Sequence, residues 1–254
     1  MSPRITGAVA LRVLTQLRRD HRTMAMLLVL PMALMSLLWW MFENVGFGFD
    51  RFGAALLALF PFIIMFLVTS VTTLRERSSG TLERLLAMPT GKVDLLGGYA
   101  IAFGLVAAAQ SVLAVALSVW VLDLDIVGPP WMLTVVAVVD AVLGTSLGLL
   151  LSAFARTEFQ AVQFMPAVVF PQLLLCGLFV PRPQLPRVLE VISDVLPLSY
   201  AVDAMNGVAQ GMSSGSSSDF AGVGSGVWSD TGIVLAFVLA SLVLGAATLR
   251  RRTA

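Results

Sequence analysis

Residues 52–89 read FGAALLALFPFIIMFLVTSVTTLRERSSGTLERLLAMP, and this stretch decides the fold. Its first 23 residues carry no charge, and about 20 apolar residues are enough for a helix to cross the hydrocarbon core of a membrane. Charged residues then appear in quick succession and include Arg75, Glu76, Arg77, Glu83 and Arg84. The pattern predicts a membrane span followed by a polar insert, which can dock onto something outside the membrane.

The whole chain shares the apolar character of that span. It has 254 residues, of which 58% are hydrophobic and 12% charged, and its mean hydropathy is +0.91. Six windows are long enough to cross a bilayer, at residues 23–42, 52–74, 95–122, 131–154, 161–180 and 231–249. They lack period-two alternation and therefore indicate helices, not a barrel. We expect an all-α integral membrane protein whose six-span domain covers residues 23–254.

The positive charges predict the orientation. Thirteen of the sixteen Lys and Arg residues fall on the side of the two termini and the polar insert, which places that side in the cytoplasm. Tryptophans favour the membrane boundary, and all five lie at the outer ends of their predicted spans. These are Trp39, Trp40, Trp120, Trp131 and Trp228. We expect a multi-pass protein of the cell (plasma) membrane with both termini cytoplasmic.

Residues 1–22 have the pattern of an amphipathic helix. Apolar side chains recur every four residues on one face, and arginines lie opposite. The apolar positions are Ile5, Val9, Val13 and Leu17, and the basic ones are Arg4, Arg12, Arg19 and Arg22. Such a helix is expected to lie in the inner membrane interface and to be attracted to anionic lipid. A cytoplasmic helix that packs on its own protein is the alternative.

The longest connection joins the fifth and sixth spans. The helical period within residues 181–200 is bounded by prolines and is too short to span, so it predicts a short helix that lies at or re-enters the outer leaflet. Residues 207–230 are rich in Gly and Ser and predict a flexible surface loop. Pro166 and Pro171 should bend the fifth span, and Gly144 and Gly148 in the fourth let another helix approach closely.

Catalytic motifs are missing from the sequence. His21 is the only histidine and Cys176 the only cysteine, which leaves no histidine or cysteine pair for a zinc site and no membrane serine triad. Lys92 is the only lysine and is followed by Val93, which does not fit a phosphate-binding loop. We expect no enzyme activity, ATPase site, metal or cofactor in this chain, and the net charge of +1 gives no reason to expect nucleic acid.

Asp140 is the one ionisable residue inside a span, about midway along the fourth. A carboxylate at the centre of a bilayer costs roughly 2.5 to 3.5 kcal/mol on insertion scales, so it should face a cavity, a partner or protein. It is either a proton or cation site of a secondary transporter, or a protonated or hydrogen-bonded carboxyl at a helix contact.

Within the polar insert, residues 80–88 predict a short helix. Leu82, Leu85 and Leu86 share one face and Glu83 lies on the other, and Pro89 helps to end the helix. Two turns are not stable alone in water and need a partner surface. The alternative is a connector that rests on lipid headgroups.

At these residues the sequence resembles the permease subunits of type-2 ABC exporters, the family of daunorubicin-resistance and polysaccharide-export permeases. That family has an acidic residue after the second span, then Gly-Thr-Leu-Glu, leucines and a proline. The matching residues are Glu76, Gly80, Thr81, Leu82, Glu83, Leu85 and Pro89. A second family pattern follows the fifth span and is matched by Gly177, Phe179, Pro181, Leu185, Pro186, Pro197 and Tyr200.

The resemblance implies a transporter made of two permease subunits, identical or related, and two soluble ATPase subunits that hold ATP and magnesium. Residues 1–22 would be the connecting helix, residues 80–88, including Leu86, the coupling helix, and residues 181–200 outer re-entrant helices. The expected cargo is a hydrophobic or amphipathic drug, lipid or glycolipid. Candidates for the substrate path are Phe164, Met165, Phe170, Gln172 and Asp140. An ion-coupled secondary transporter that uses Asp140, or a membrane enzyme, are the competing classes.

Overall fold

The computed structural model describes residues 3–43, 49–78, 91–155, 157–210 and 220–248. These residues form nine α-helices and one short 3₁₀ helix, and they contain no β-strand. The predicted all-α class is confirmed for this part of the chain. Seven of the eight predicted coupling residues, Gly80 to Pro89, lie outside the described residues.

The helices follow one another with short connections. They are α1 (Pro3–Arg19), α2 (His21–Phe42), α3 (Asp50–Ser78), α4 (Lys92–Trp120), α5 (Pro130–Leu151), α6 (Glu158–Leu175), α7 (Arg187–Val195), α8 (Pro197–Gln210) and α9 (Phe220–Thr248). The 3₁₀ helix covers Arg182–Gln184, between α6 and α7.

Five of the described helices are long and apolar enough to span a membrane, so the chain is a multi-pass membrane protein. They cover His21–Phe42, Asp50–Ser78, Asp94–Trp120, Pro130–Leu151 and Gly226–Thr248. The fifth predicted span, residues 161–180, overlaps α6, which is not among the five. This helix has 18 residues, runs through both of its prolines and ends at Leu175. The prediction that residues 176–180 belong to a spanning helix is therefore wrong. The chain turns at Gly177, whose φ of +91° does not fit a right-handed helix.

The centre of the fold is α3, the most buried of the five candidate spans. It shares its most extensive contact with α5. A Cβ atom added to Gly144 would lie 2.4 Å from the carbonyl oxygen of Phe62, and one added to Gly148 would lie 2.6 Å from that of Phe66. The small-residue stripe predicted in the fourth span therefore packs against α3 of the same chain.

Contacts at the helix ends show which ends share a side. Arg75 near the end of α3 pairs with Glu158 at the start of α6, with Nε and Oε1 3.0 Å apart. On the other side, the Asp125 amide after α4 donates to Asp50 at the start of α3 over 2.9 Å. Thus α3 and α5 run in one direction, and α4 and α6 in the other.

The apolar face of α1 is covered by the protein itself. Val9, Ala10, Val13 and Leu17 are buried and belong to a cluster with the amino-terminal half of α4. The apolar face of α1 therefore packs on the chain's own helices, and the hydropathy pattern does not indicate that α4 supplies this cover. The location of α1 at the membrane interface stays a prediction.

The prediction of a flexible loop at residues 207–230 is wrong at both ends of this range. Residues 207–210 complete α8, where Gly207 and Val208 are buried, and residues 220–230 already belong to α9. The last carbonyls of α8 accept hydrogen bonds of 2.9 Å from the Val127 and Gly128 amides. Packing at these positions outweighs the Gly and Ser composition, which favours coil only where nothing covers it. Residues 211–219 lie outside the described part.

Candidate functional site

The last turn of α3 and the amino-terminal half of α4 meet at a buried carboxylate, Glu76. We call this side inner and the opposite side outer, after the orientation that the charge distribution predicts. This residue lies in the last turn of α3 and is 9% exposed. Its Oε2 atom accepts a hydrogen bond from the hydroxyl of Tyr99, which is 2% exposed on α4. Glu76 therefore points into the protein, and it joins the two helices that precede and follow residues 79–90.

A third helix reaches the same carboxylate. Arg12 of α1 places Nη2 3.3 Å from Glu76 Oε2, and Thr6 donates to Asp94 at the start of α4 over 3.3 Å. Glu76, Arg12 and Tyr99 will be called the inner polar cluster. It joins the last turn of α3, which precedes residues 79–90, to α4, which follows them, and to α1.

The outer region is built around a left-handed glycine. Gly177 follows α6 with a φ of +91°, and a Cβ there would meet Arg182 Cγ only at 3.5 Å, an ordinary contact. Backbone conformation, not space, thus requires the glycine. Pro186 precedes α7, and Pro197 is the first residue of α8, a position that suits proline because the first amide has no helical partner.

Arg182 connects the three outer helical elements. Its guanidinium pairs with Asp203 on α8 and, over 2.5 Å, with Asp194 on α7. It also lies over the ring of Tyr200 at 5.1 Å from the centroid, and the Tyr200 hydroxyl donates to the Asp194 carbonyl over 2.7 Å. Of the predicted outer motif, Tyr200 thus takes part in this polar assembly, and Gly177 lies beside Arg182.

Other members of that motif lie apart from the polar assembly. Phe179 is 60% exposed, and Pro181 and Leu185 bracket the 3₁₀ helix. Val188, Val191, Ile192 and Val195 leave the apolar face of α7 exposed. Such a face suits contact with lipid at the membrane boundary.

The predicted path residues do not form one lining. Phe170 is 52% exposed on α6, whereas Met165 packs against the main core and Phe164 against a small cluster near the end of α3. Gln172 is buried, and its Oε1 atom accepts from the Leu198 amide at 3.3 Å. In this arrangement Gln172 satisfies an amide in the first turn of α8, where helix amides need side-chain partners.

Asp140 is 1% exposed within α5, and neither carboxylate oxygen has a hydrogen-bond partner among the described residues. It lies one helical turn before Gly144, the point of closest approach to α3. An unpartnered buried carboxyl is far less costly when protonated than when charged. The structure separates Asp140 from the exposed Phe170, so these two do not share a surface.

The profile of the ABC-2 type transporter family matches residues 6–209, which include α1 and most of the helical bundle. The chain belongs to the ABC-2 type transporter family. Residues 1–22 and the outer motif of this ABC-2 chain fall largely inside the matched range.

Individual relatives are more distant. ABC transporter G family member 20 of Dictyostelium discoideum is 26% identical over 159 residues, which are 63% of this chain and 22% of that protein. The probable multidrug ABC transporter permease YbhR of Escherichia coli is 27% identical over 149 residues, 59% of this chain and 40% of YbhR. The inner membrane transport permease YhhJ of Escherichia coli is 30% identical over 143 residues, 55% and 38%. The aligned part of this ABC-2 chain thus spans less than half the length of each relative.

Several residues that organise these two regions cannot be identified from the sequence pattern. The pattern places Arg12 only on the polar face of α1 and does not single out Tyr99 within a long apolar span. Arg182, Asp194 and Asp203 are separated by up to 21 positions, so their meeting depends on how α7 and α8 fold back. Arg182 was one of only three basic residues on the outer side, and that rarity was the available signal.

Proposed function

We propose that this chain is the membrane-spanning permease subunit of an ATP-driven exporter, which carries a hydrophobic or amphipathic drug, lipid or glycolipid out of the cell. The family supports the transporter class, and relatives whose names contain permease and multidrug support the finer assignment. ATP hydrolysis takes place on a separate subunit that holds ATP and magnesium.

The assembly contains two copies of a soluble ATPase and a second permease subunit, either another copy of this chain or a relative. It resides in the plasma membrane with both termini in the cytoplasm, as the distribution of Lys and Arg favours. Residues 80–88 form the coupling helix, and the ATPase receives its apolar face, Leu82, Leu85 and Leu86.

The observation that carries the proposal is the inner polar cluster within a chain of this family. Tyr99 of α4 bonds to Glu76 of α3, so the helices that precede and follow residues 79–90 are joined to each other. A push on the insert is therefore delivered to α3 and α4 at the same time. Since α3 is the central helix of the bundle, its displacement would reach every helix that packs on it.

The test reverses one charge in the insert. Glu83→Arg is expected to reduce both the copurification of the ATPase and ATP-driven transport in proteoliposomes, because a like charge or a lost partner at a docking surface weakens binding. The matched control is Glu43→Arg, which reverses an exposed charge directly after the end of α2. It should leave the copurification of the ATPase and the transport unchanged. Unchanged ATPase binding and transport in Glu83→Arg would remove residues 80–88 from the coupling role.

A second candidate, an ion-coupled secondary transporter, is favoured by one observation, the buried and unpartnered carboxyl of Asp140. Such a protein would transport without any ATPase. The chain alone in proteoliposomes, with an imposed proton or sodium gradient and no ATP, decides between the two. Gradient-driven transport by the chain alone would support the second candidate over the first.

A further inference from the structure

The helix α1 is attached to α4 along several turns, through contacts that leave little freedom between them. A Cβ atom added to Gly98 would lie 2.6 Å from Cβ of Val9 and 3.0 Å from the carbonyl oxygen of Thr6. The backbones of the two helices therefore touch at Gly98. On either side of this point, Thr6 bonds to Asp94, and Val13 is fully covered.

The same helix is also attached to α3. Arg12 donates to Glu76, which already accepts the hydroxyl of Tyr99. Moving α1 away would take a cationic donor from a buried carboxylate, and buried charges require partners. It would also expose the four buried apolar side chains of α1, whose burial holds the helix in place.

From these attachments we propose that α1 moves as one rigid unit with the inner ends of α3 and α4, with Arg12, Glu76 and Tyr99 as positioning residues, so that force applied to residues 79–90 also displaces α1. This rests on the proposed function, in which a partner ATPase drives that segment. In this arrangement α1 moves together with α3 and α4 during transport. Its position is determined by these two helices and not by contact with lipid.

The first test removes one attachment. Arg12→Gln should lower the amount of substrate transported per ATP hydrolysed about fivefold, which corresponds to about 1 kcal/mol for a partly exposed, charge-assisted hydrogen bond. ATP hydrolysis itself should continue, since the docking residues are untouched. Arg18→Gln, on the exposed polar face of the same helix, is the matched control and should transport normally.

The second test forces α1 away from α4 at the point of closest approach. Gly98→Ala places a Cβ atom 2.6 Å from Cβ of Val9 and 3.0 Å from the Thr6 carbonyl oxygen, so the two helices have to separate. Transport per ATP should fall at least as far as in Arg12→Gln, while ATP hydrolysis continues. Gly7→Ala on α1 is the matched control, because nothing lies within 4 Å of its Cβ position, and it should transport normally.

The outcomes distinguish a failure of the rigid unit from a failure of the proposed function. Normal transport per ATP in a folded Gly98→Ala variant would show that α1 need not stay against α4 and would overturn the rigid unit. If Gly98→Ala does not fold, Arg12→Gln and Tyr99→Phe decide, and normal transport per ATP in both would overturn it as well. Transport that needs no ATP, or no copurifying ATPase, would instead refute the proposed function itself.

Discussion

The contact between α3 and α5 gives a prediction that depends on fractions of an ångström. In Gly144→Ala the new Cβ would lie 2.4 Å from the Phe62 carbonyl oxygen, 0.6 Å short of the 3.0 Å below which real Cβ contacts are essentially absent. The opposing atoms are backbone, at 2.4 and 3.1 Å, so no side chain can turn away. The two helices have to separate along their most extensive contact.

Two opposing terms determine the magnitude. Alanine stabilises a helix interior by about 1 kcal/mol relative to glycine, whereas a side chain forced into a filled contact costs about 1 to 3 kcal/mol. Gly232→Ala in α9 is the matched control, because nothing lies within 4 Å of its Cβ position and only the favourable term applies. Gly144→Ala should therefore be less stable than Gly232→Ala by about 1 to 3 kcal/mol.

Equilibrium unfolding in mixed micelles with increasing SDS, followed by tryptophan fluorescence, measures the difference. The same two variants also serve as a functional comparison, since a widened contact between α3 and α5 should reduce ATP-driven transport in Gly144→Ala alone. Equal unfolding free energies for the two variants would refute the argument, because they would mean that α3 and α5 do not approach as closely as described.

Further predictions concern charged residues. Asp140→Asn should keep normal yield and ATP-driven transport, because an amide is close to the protonated carboxyl in size and charge; loss of transport in a folded protein would favour an ion-coupled role. Arg182→Gln should lower the unfolding free energy by about 2 kcal/mol, since Asp203 then loses its cation, and Asp203→Asn in the same chain should restore part of it; exposed Arg187→Gln is the control. Asp20→Ala should cost about 1 kcal/mol through loss of the α2 N-cap. Hydrogen bonds from Thr23 hold the pKa of Asp20 below its ordinary value, so this cost should persist above about pH 4 and shrink as the pH falls through the lowered pKa.

The sequence predicted well whatever depends on long apolar runs. Every predicted span contains a helix, and five of these are long and apolar enough to cross the membrane, because hydropathy over about 20 residues reflects the bilayer itself. The stacking of Trp131 on Trp228, with ring centroids 6.1 Å apart, agrees with placing both residues at the same membrane boundary.

Features that depend on packing between distant segments could not be predicted in this way. The direction of Glu76 is set by Tyr99 and Arg12, which lie 23 and 64 positions away, and no local pattern carries that information. The end of α6 depends on one backbone angle at Gly177. The burial of residues 207–209 depends on contacts across the fold. The composition of a segment reflects that segment alone, whereas the structure of these residues is determined by contacts with residues that are distant in the sequence.

The end of α8 has a practical consequence for studying this protein. Carbonyls there are already satisfied by amides from the α4–α5 connection, and Gly128 fits so closely that an added Cβ would lie 2.8 Å from the Val208 carbonyl oxygen. A helix closed by a neighbouring segment does not rely on the residues that come next in the chain. An epitope inserted shortly after Gln210 should therefore leave the bundle intact, and antibody access to it in whole cells would report directly which side of the membrane that end occupies.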